Sequence, residues 1–215
     1  MINTILLYDN QDAELGAFFN LCANKFLYLL QIEYKQNVSA EFNTDSCKKE
    51  IIESVLSHYN TSKFLFVSFL HGNEDAMCLS NEKIISVENA YFLTNAFCYT
   101  FSCYCGKNLA NVLLQNNVCA FWGYFDKVYS IIDYEEDFAD LAISGLKHFL
   151  SQDTIENAEK KVREEYSKKI DALYQKSFFV AATLLHNKES MVVFGDKSMK
   201  VSDFEIKEEL NSQQI

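Results

Sequence analysis

The sequence predicts an α/β sandwich in which helices cover both faces of a mostly parallel central sheet. Three observations lead there. Short apolar runs of strand length alternate with stretches whose apolar residues recur at helical spacing. Those strand-like runs are apolar throughout, as strands buried on both faces are. With 215 residues, 49% of them hydrophobic, the chain can bury one substantial core. Residues 1–196 read as a single domain, and 197–215 as a polar, flexible C-terminal tail.

Thr4 to Tyr8 reads as a buried strand closed by Asp9-Asn10. Asp12 to Tyr34 reads as a helix with Leu15, Phe18, Phe19, Cys22, Phe26, Leu29 and Leu30 on its inner face. A short strand is expected around Asn37 to Ala40. Asp45 caps a second helix through Tyr59, with Ile51, Ile52, Val55 and Leu56 as its inner stripe. Lys63 to Leu70 is the next strand. Met77-Cys-Leu-Ser80, Asn81-Glu82 and Lys83-Ile-Ile-Ser86 form a hairpin, and Val87 to Asn95 a short helix.

Phe97 to Ser102 is a further strand, followed by a helix from Lys107 to Asn116 and a strand from Val118 to Tyr124. Helices are expected at Phe138–Leu150, at Asp153–Leu173 (with Asp153 and Glu156 as a capping box) and at Ser177–His186. Ser190 to Gly195 is the last strand.

Composition excludes several classes. A net charge of −11 argues against nucleic acid, whose phosphates need clustered Lys and Arg. No apolar run reaches transmembrane length, and the Met1–Asp9 segment lacks the basic flank of a signal peptide. Seven cysteines, an odd number without framework spacing, fit reduced thiols in a cytoplasm. No metal site is completed, because Cys98, Cys103 and Cys105 lack a fourth ligand pattern.

The chemistry concentrates at two strand ends. Lys63-Phe-Leu-Phe-Val-Ser-Phe-Leu70 runs into His71-Gly72, and Phe97-Cys-Tyr-Thr-Phe-Ser102 runs into Cys103-Tyr-Cys-Gly106. In a parallel sheet such ends lie together at the carboxyl edge, where ligands bind. A thiol and an imidazole delivered there form a nucleophile–base pair. His71 alone among four histidines follows a buried-strand pattern and precedes Gly. Cys105 is the rival thiol; were the strand to continue, alternation would point it the same way as Cys103. Glu74, Asp75 and Asp126 follow strands at the same edge and are candidates to line a pocket for a basic substrate residue.

This order of motifs resembles the caspase-like (clan CD) cysteine peptidases, most closely the bacterial CHAT-domain type. The resemblance rests on His71-Gly72, the hairpin from Met77 to Ser86 and Ser102-Cys103-Tyr104-Cys105-Gly106. It continues through Asn116 to Tyr124, the acidic turn at Asp126 and the stretch from Gly145 to Ala158. Cys105 stands where the family often has Ser or Thr, and Phe101 where the metacaspase pattern has an acid. The spacing from His71 to Cys103 is shorter than the caspase spacing of about 50 residues.

The resemblance implies a caspase-hemoglobinase-like three-layer sandwich and a cysteine endopeptidase. Cys103 would be nucleophile, His71 its proton carrier, and the backbone amides of Gly72 and Cys103 the oxyanion donors. It implies no cofactor. It further implies a protein substrate, a role in bacterial defence or programmed death, and a separate regulatory or sensor protein that switches the enzyme on. The competing reading is a non-catalytic caspase-fold subunit that binds a partner.

Overall fold

The computed structural model describes residues 1–79 and 82–206. Ser80 and Asn81, expected within the hairpin, and residues 207–215 of the expected tail lie outside the described residues. The main sheet has six strands: β1 (Thr4–Tyr8), β2 (Ala40–Phe42), β3 (Phe64–Phe69), β7 (Ala96–Phe101), β8 (Ala120–Tyr124) and β9 (Met191–Gly195). Their order is β2-β1-β3-β7-β8-β9, parallel except for β9, which runs antiparallel to β8. A second, three-stranded antiparallel sheet follows β3: β4 (His71–Gly72), β5 (Ala76–Leu79) and β6 (Glu82–Ser86). The fold is therefore a mixed α/β sandwich with a mostly parallel central sheet flanked by helices, as the sequence predicts.

Every residue of β1, β3, β7 and β8 is buried, which accounts for their continuous apolar character. On one face lie α1 (Gly16–Tyr28), α4 (Glu135–Leu150), α5 (Ile155–Tyr174) and α6 (Phe178–Ser190). On the other lie α2 (Lys49–Tyr59), α3 (Asn108–Gln115) and the small sheet.

Several boundaries differ from expectation for local reasons. The long first helix begins at Gly16, because Asp12 and Leu15 accept the N–H groups of Gly16 and Phe19 and start the helix one turn later. It ends in a π-helical turn over Leu29–Glu33. The short second strand sits at Ala40–Phe42 rather than Asn37–Ala40. Asp45 does not cap α2, which starts from Lys48; Ile52 and Leu56 are buried, while Ile51 is exposed. The segment after Val87 carries only a 3₁₀ turn, Ala90–Leu93. Thr154, not Asp153, caps α5 by accepting the Asn157 N–H at 3.2 Å. α4 starts at Glu135, so its acidic first turn lies at the positive end of the helix dipole.

The expected frayed tail is corrected as far as Ile206. Val201–Phe204 forms a 3₁₀ turn, and Phe204 is fully buried against Phe97 and Phe149. Burying such a ring is worth about 1.5–3 kcal/mol, enough to hold a polar segment down. Met1 O then accepts the Ile206 N–H, which ties the two ends of the described chain together.

Candidate active site

β3 and β7 pair in register through Phe69↔Phe101, so the residues that follow each strand emerge side by side. A buried hydroxyl ladder locks this register. Ser68 Oγ lies 2.8 Å from Thr100 Oγ1, which lies 2.8 Å from Ser102 Oγ, which donates to Leu70 O at 2.8 Å. Beyond the ladder come His71 and Cys103. Gly72 fits tightly against the second turn: a Cβ there would lie 2.6 Å from Cys103 O and 2.7 Å from Cys105 Sγ. Only glycine lets the two backbones approach this closely. The structure thus brings His71, Gly72 and Cys103 together at the carboxyl edge of the sheet.

His71 sits on the α1 face, edge-on to Phe19 with ring centroids 5.5 Å apart. Its Nε2 lies 2.9 Å from Asp12 Oδ2. An aspartate accepts at that contact, so Nε2 carries the hydrogen and, in the neutral ring, Nδ1 is the basic nitrogen. Asp12 is the site residue that sequence reasoning missed; it reads there only as a helix start. Its position is set by the β1–α1 loop. Asp9, fully buried, accepts the N–H groups of Gln11 and Asp12 and the Thr44 hydroxyl. Asp12 Oδ1 accepts the N–H groups of Glu14 and Leu15 at 2.9 and 2.7 Å. Burial raises the Asp12 pKa, but the Leu15 and Glu14 N–H groups and His71 outweigh it and hold the carboxyl below its ordinary 3.8. The available signal was topological: Asp12 follows the strand that neighbours β3.

Cys103 is partly buried on the same face. Its sulfur is engaged with Val128, not His71: the Val128 N–H donates to Sγ at 3.4 Å, and Val128 O lies 3.9 Å away. Burial raises the thiol above its ordinary 9.0, outweighing the opposite pull of the Val128 N–H and Lys127.

Cys105 points to the opposite face, contrary to simple alternation. β7 ends at Phe101, and Tyr104 takes φ 61°, a left-handed conformation that reverses the chain between the two thiols. Cys105 is fully buried in the second core cluster, with Sγ 3.5 Å from Ala76 O and its pKa far above the ordinary thiol value through burial. Of the two thiols, Cys103 is the one with exposure to the edge.

The three candidate pocket acids separate. Glu74 meets Lys107 Nζ at 2.6 Å, and Lys107 lies over the rings of Tyr104 and Phe125. Asp75 accepts from Asn108 Nδ2 at 2.7 Å. Both acids therefore serve to seat the start of α3 against the β4–β5 turn, where Leu109 N–H also donates to Glu74 O. Asp126 is exposed and accepts the Lys127 N–H at 2.7 Å.

No helix among the described residues is long and apolar enough to cross a membrane. No protein-family model matches the chain, and no curated protein matches it. Among solved structures, a secreted C11 cysteine protease from Bacteroides thetaiotaomicron, in complex with an irreversible peptide inhibitor, aligns with a TM-score of 0.40 at 13% identity. The alignment covers 100% of this chain and 95% of that chain.

Proposed function

We propose that this chain is a cysteine endopeptidase that cleaves a protein substrate through Cys103 and His71, with Asp12 orienting the base. The observation that supports the reading is a strand-end imidazole, on the strand paired with the one that leads to Cys103, whose Nε2 lies 2.9 Å from the Asp12 carboxylate. That arrangement leaves Nδ1 to take the Cys103 proton. The thiolate then attacks the scissile carbonyl, and the backbone N–H groups of Gly72 and Cys103 receive the developing oxyanion. His71 returns the proton to the leaving amine, and water hydrolyses the acyl-enzyme with His71 again as base. No cofactor enters this scheme.

The preferred substrate residue on the amino side of the cut is basic, and Asp126 is the carboxylate proposed to meet it, because Glu74 and Asp75 already have partners. The CHAT-type resemblance supports a cytoplasmic role in bacterial defence or programmed death, with a separate sensor protein as activator. A covered thiol with a raised pKa fits an enzyme that rests inactive.

The same cover also favours one other reading, a non-catalytic caspase-fold subunit. A peptide-substrate profile with Cys103→Ala as the blank separates the two. Cleavage that vanishes in Cys103→Ala supports the peptidase. Tight partner binding, with Cys103→Ala indistinguishable from the parent in every cellular assay, supports the subunit.

A further inference from the structure

The segment after β8 passes over Cys103; Asp126 O accepts the Tyr104 N–H at 3.2 Å, and the end of α6 supplies its other holds. Four hydrogen bonds and one ring contact along the C-terminal turn of α6 hold it in sequence. Phe125 N–H donates to Ser190 O at 2.7 Å. His186 Nε2 lies 2.8 Å from Lys127 O and donates to it. Asn187 then grips Tyr129 from both sides, accepting its N–H at 3.1 Å and donating to its carbonyl at 2.7 Å. The Tyr129 ring stands edge-on to His186 at 5.4 Å. Between these holds Val128 turns inward, 5% exposed, while Phe125, Asp126, Lys127 and Tyr129 around it face solvent. Its backbone N–H and C=O are the groups that meet the Cys103 sulfur.

Asn187 is the informative member. It is a fully buried amide on an inner helix face that it shares with Val180, Ala181, Leu184 and Ser190. A buried amide there is costly unless its hydrogen bonds are made, and both are spent on one loop residue. The helix end is itself fixed from α5, where Arg163 donates to Lys188 O at 3.0 Å and to Met191 O at 2.9 Å. The strap is therefore coupled to the α5–α6 hairpin rather than free to swing with its own loop.

We propose that residues 125–129 form an autoinhibitory strap over Cys103, with Asn187 as the positioning residue that fastens it and α6 as the element whose displacement frees the thiol. This inference rests on Cys103 being the nucleophile of the proposed peptidase, and it specifies how that site is kept closed. Freeing Tyr129 lets Val128 withdraw, and Cys103 is then open to His71 and to substrate. No covalent change is needed, only a shift of a local opening equilibrium.

The test is iodoacetamide alkylation of the full-length chain at fixed pH, read by peptide mapping. Cys119, a half-buried thiol bonded to Asn95 O outside the strap, serves as the internal reference. In Asn187→Ala the Cys103-to-Cys119 rate ratio should rise about tenfold, the size of effect expected from losing two buried hydrogen bonds in a local opening step. His186→Ala, which removes the bond to Lys127 O and the ring contact with Tyr129 at a partly exposed side chain, should raise it about threefold. This second variant decides the matter if circular dichroism shows that Asn187→Ala is unfolded. General loosening of the fold would raise both thiols together and leave the ratio flat.

An unchanged or lowered ratio in folded variants overturns the strap, because the segment would then leave the thiol accessible or would itself promote its reactivity. Faster alkylation without peptide cleavage would retain the strap and defeat the peptidase. Cleavage by the parent chain at the rate of Asn187→Ala would retain the peptidase and defeat the strap.

Discussion

The two halves of the candidate site are built to opposite ends. On the β3 side, His71 is aimed: Asp12 holds its Nε2, and Asp12 is itself fixed by two backbone N–H groups and by the loop that Asp9 organises. On the β7 side, Cys103 is covered: its sulfur meets Val128, and burial disfavours the thiolate. For the proposed peptidase, an imidazole already aimed beside a thiol still covered places control on the thiol. The difference follows from what surrounds each strand end. The β1–α1 loop is short and capped by carboxylates, whereas the β8–α4 connection is longer and takes most of its anchors from α6.

The largest effect expected is from Cys103→Ala, which should reduce peptidase turnover of the opened enzyme to background while leaving the thermal midpoint nearly unchanged. His71→Ala should lower kcat/KM by about 10²–10⁴-fold, the usual range for a lost general base. Retention of full activity in His71→Ala would erase the contrast between the halves. Asp12→Asn keeps a similar shape but loses the carboxylate, and misorientation of the ring should cost about 10²-fold in kcat. A change in KM alone would place Asp12 in substrate binding instead.

Stability measurements sharpen the same comparison. Ser102→Ala removes the donor to the buried Leu70 carbonyl and should cost about 1–3 kcal/mol in denaturant unfolding. It strikes the ladder that aligns both halves, so activity should fall with it. The two titrating groups then differ in sign. Asp12 ionises below its ordinary 3.8 in the folded chain, so its stabilising contribution is complete above that pH and is lost as pH falls through the lowered value. Cys103 ionises above 9.0, so its contribution is complete below that pH and is lost as pH rises toward the raised value. Asp126 acts on the thiol in the same direction as burial, and Lys127 opposes them. A Cys103 alkylation profile in the parent with its midpoint below 9.0 would mean an exposed or stabilised thiolate, not a covered thiol.

Much of this was legible in the sequence where one residue type had one structural use. Continuous apolar runs marked β1, β3, β7 and β8 because each is buried on both sides. His71-Gly72 and Cys103 could be placed at one edge because parallel register brings successive strand ends together. Asp12 escaped because the residues that cap a helix are also those that orient an imidazole, and nothing local separates the two uses. Cys105 was undecided because the Tyr104 reversal depends on tertiary packing around Lys107 and Phe125. Asn187 could not be read at all. The expected helix stops at His186, and only the folded chain carries it on to Ser190 and sets Asn187 on its buried side against Tyr129. Phe204 was hidden among polar neighbours.

The most direct measurement of the central claim is a peptide-library cleavage profile of Asn187→Ala, taken with and without the further change Cys103→Ala. The account predicts cleavage after basic residues in the single variant, weak cleavage in the parent, and none once Cys103 is removed. A folded Asn187→Ala protein whose Cys103 is freely alkylated, yet which cleaves no peptide in the library, would contradict it.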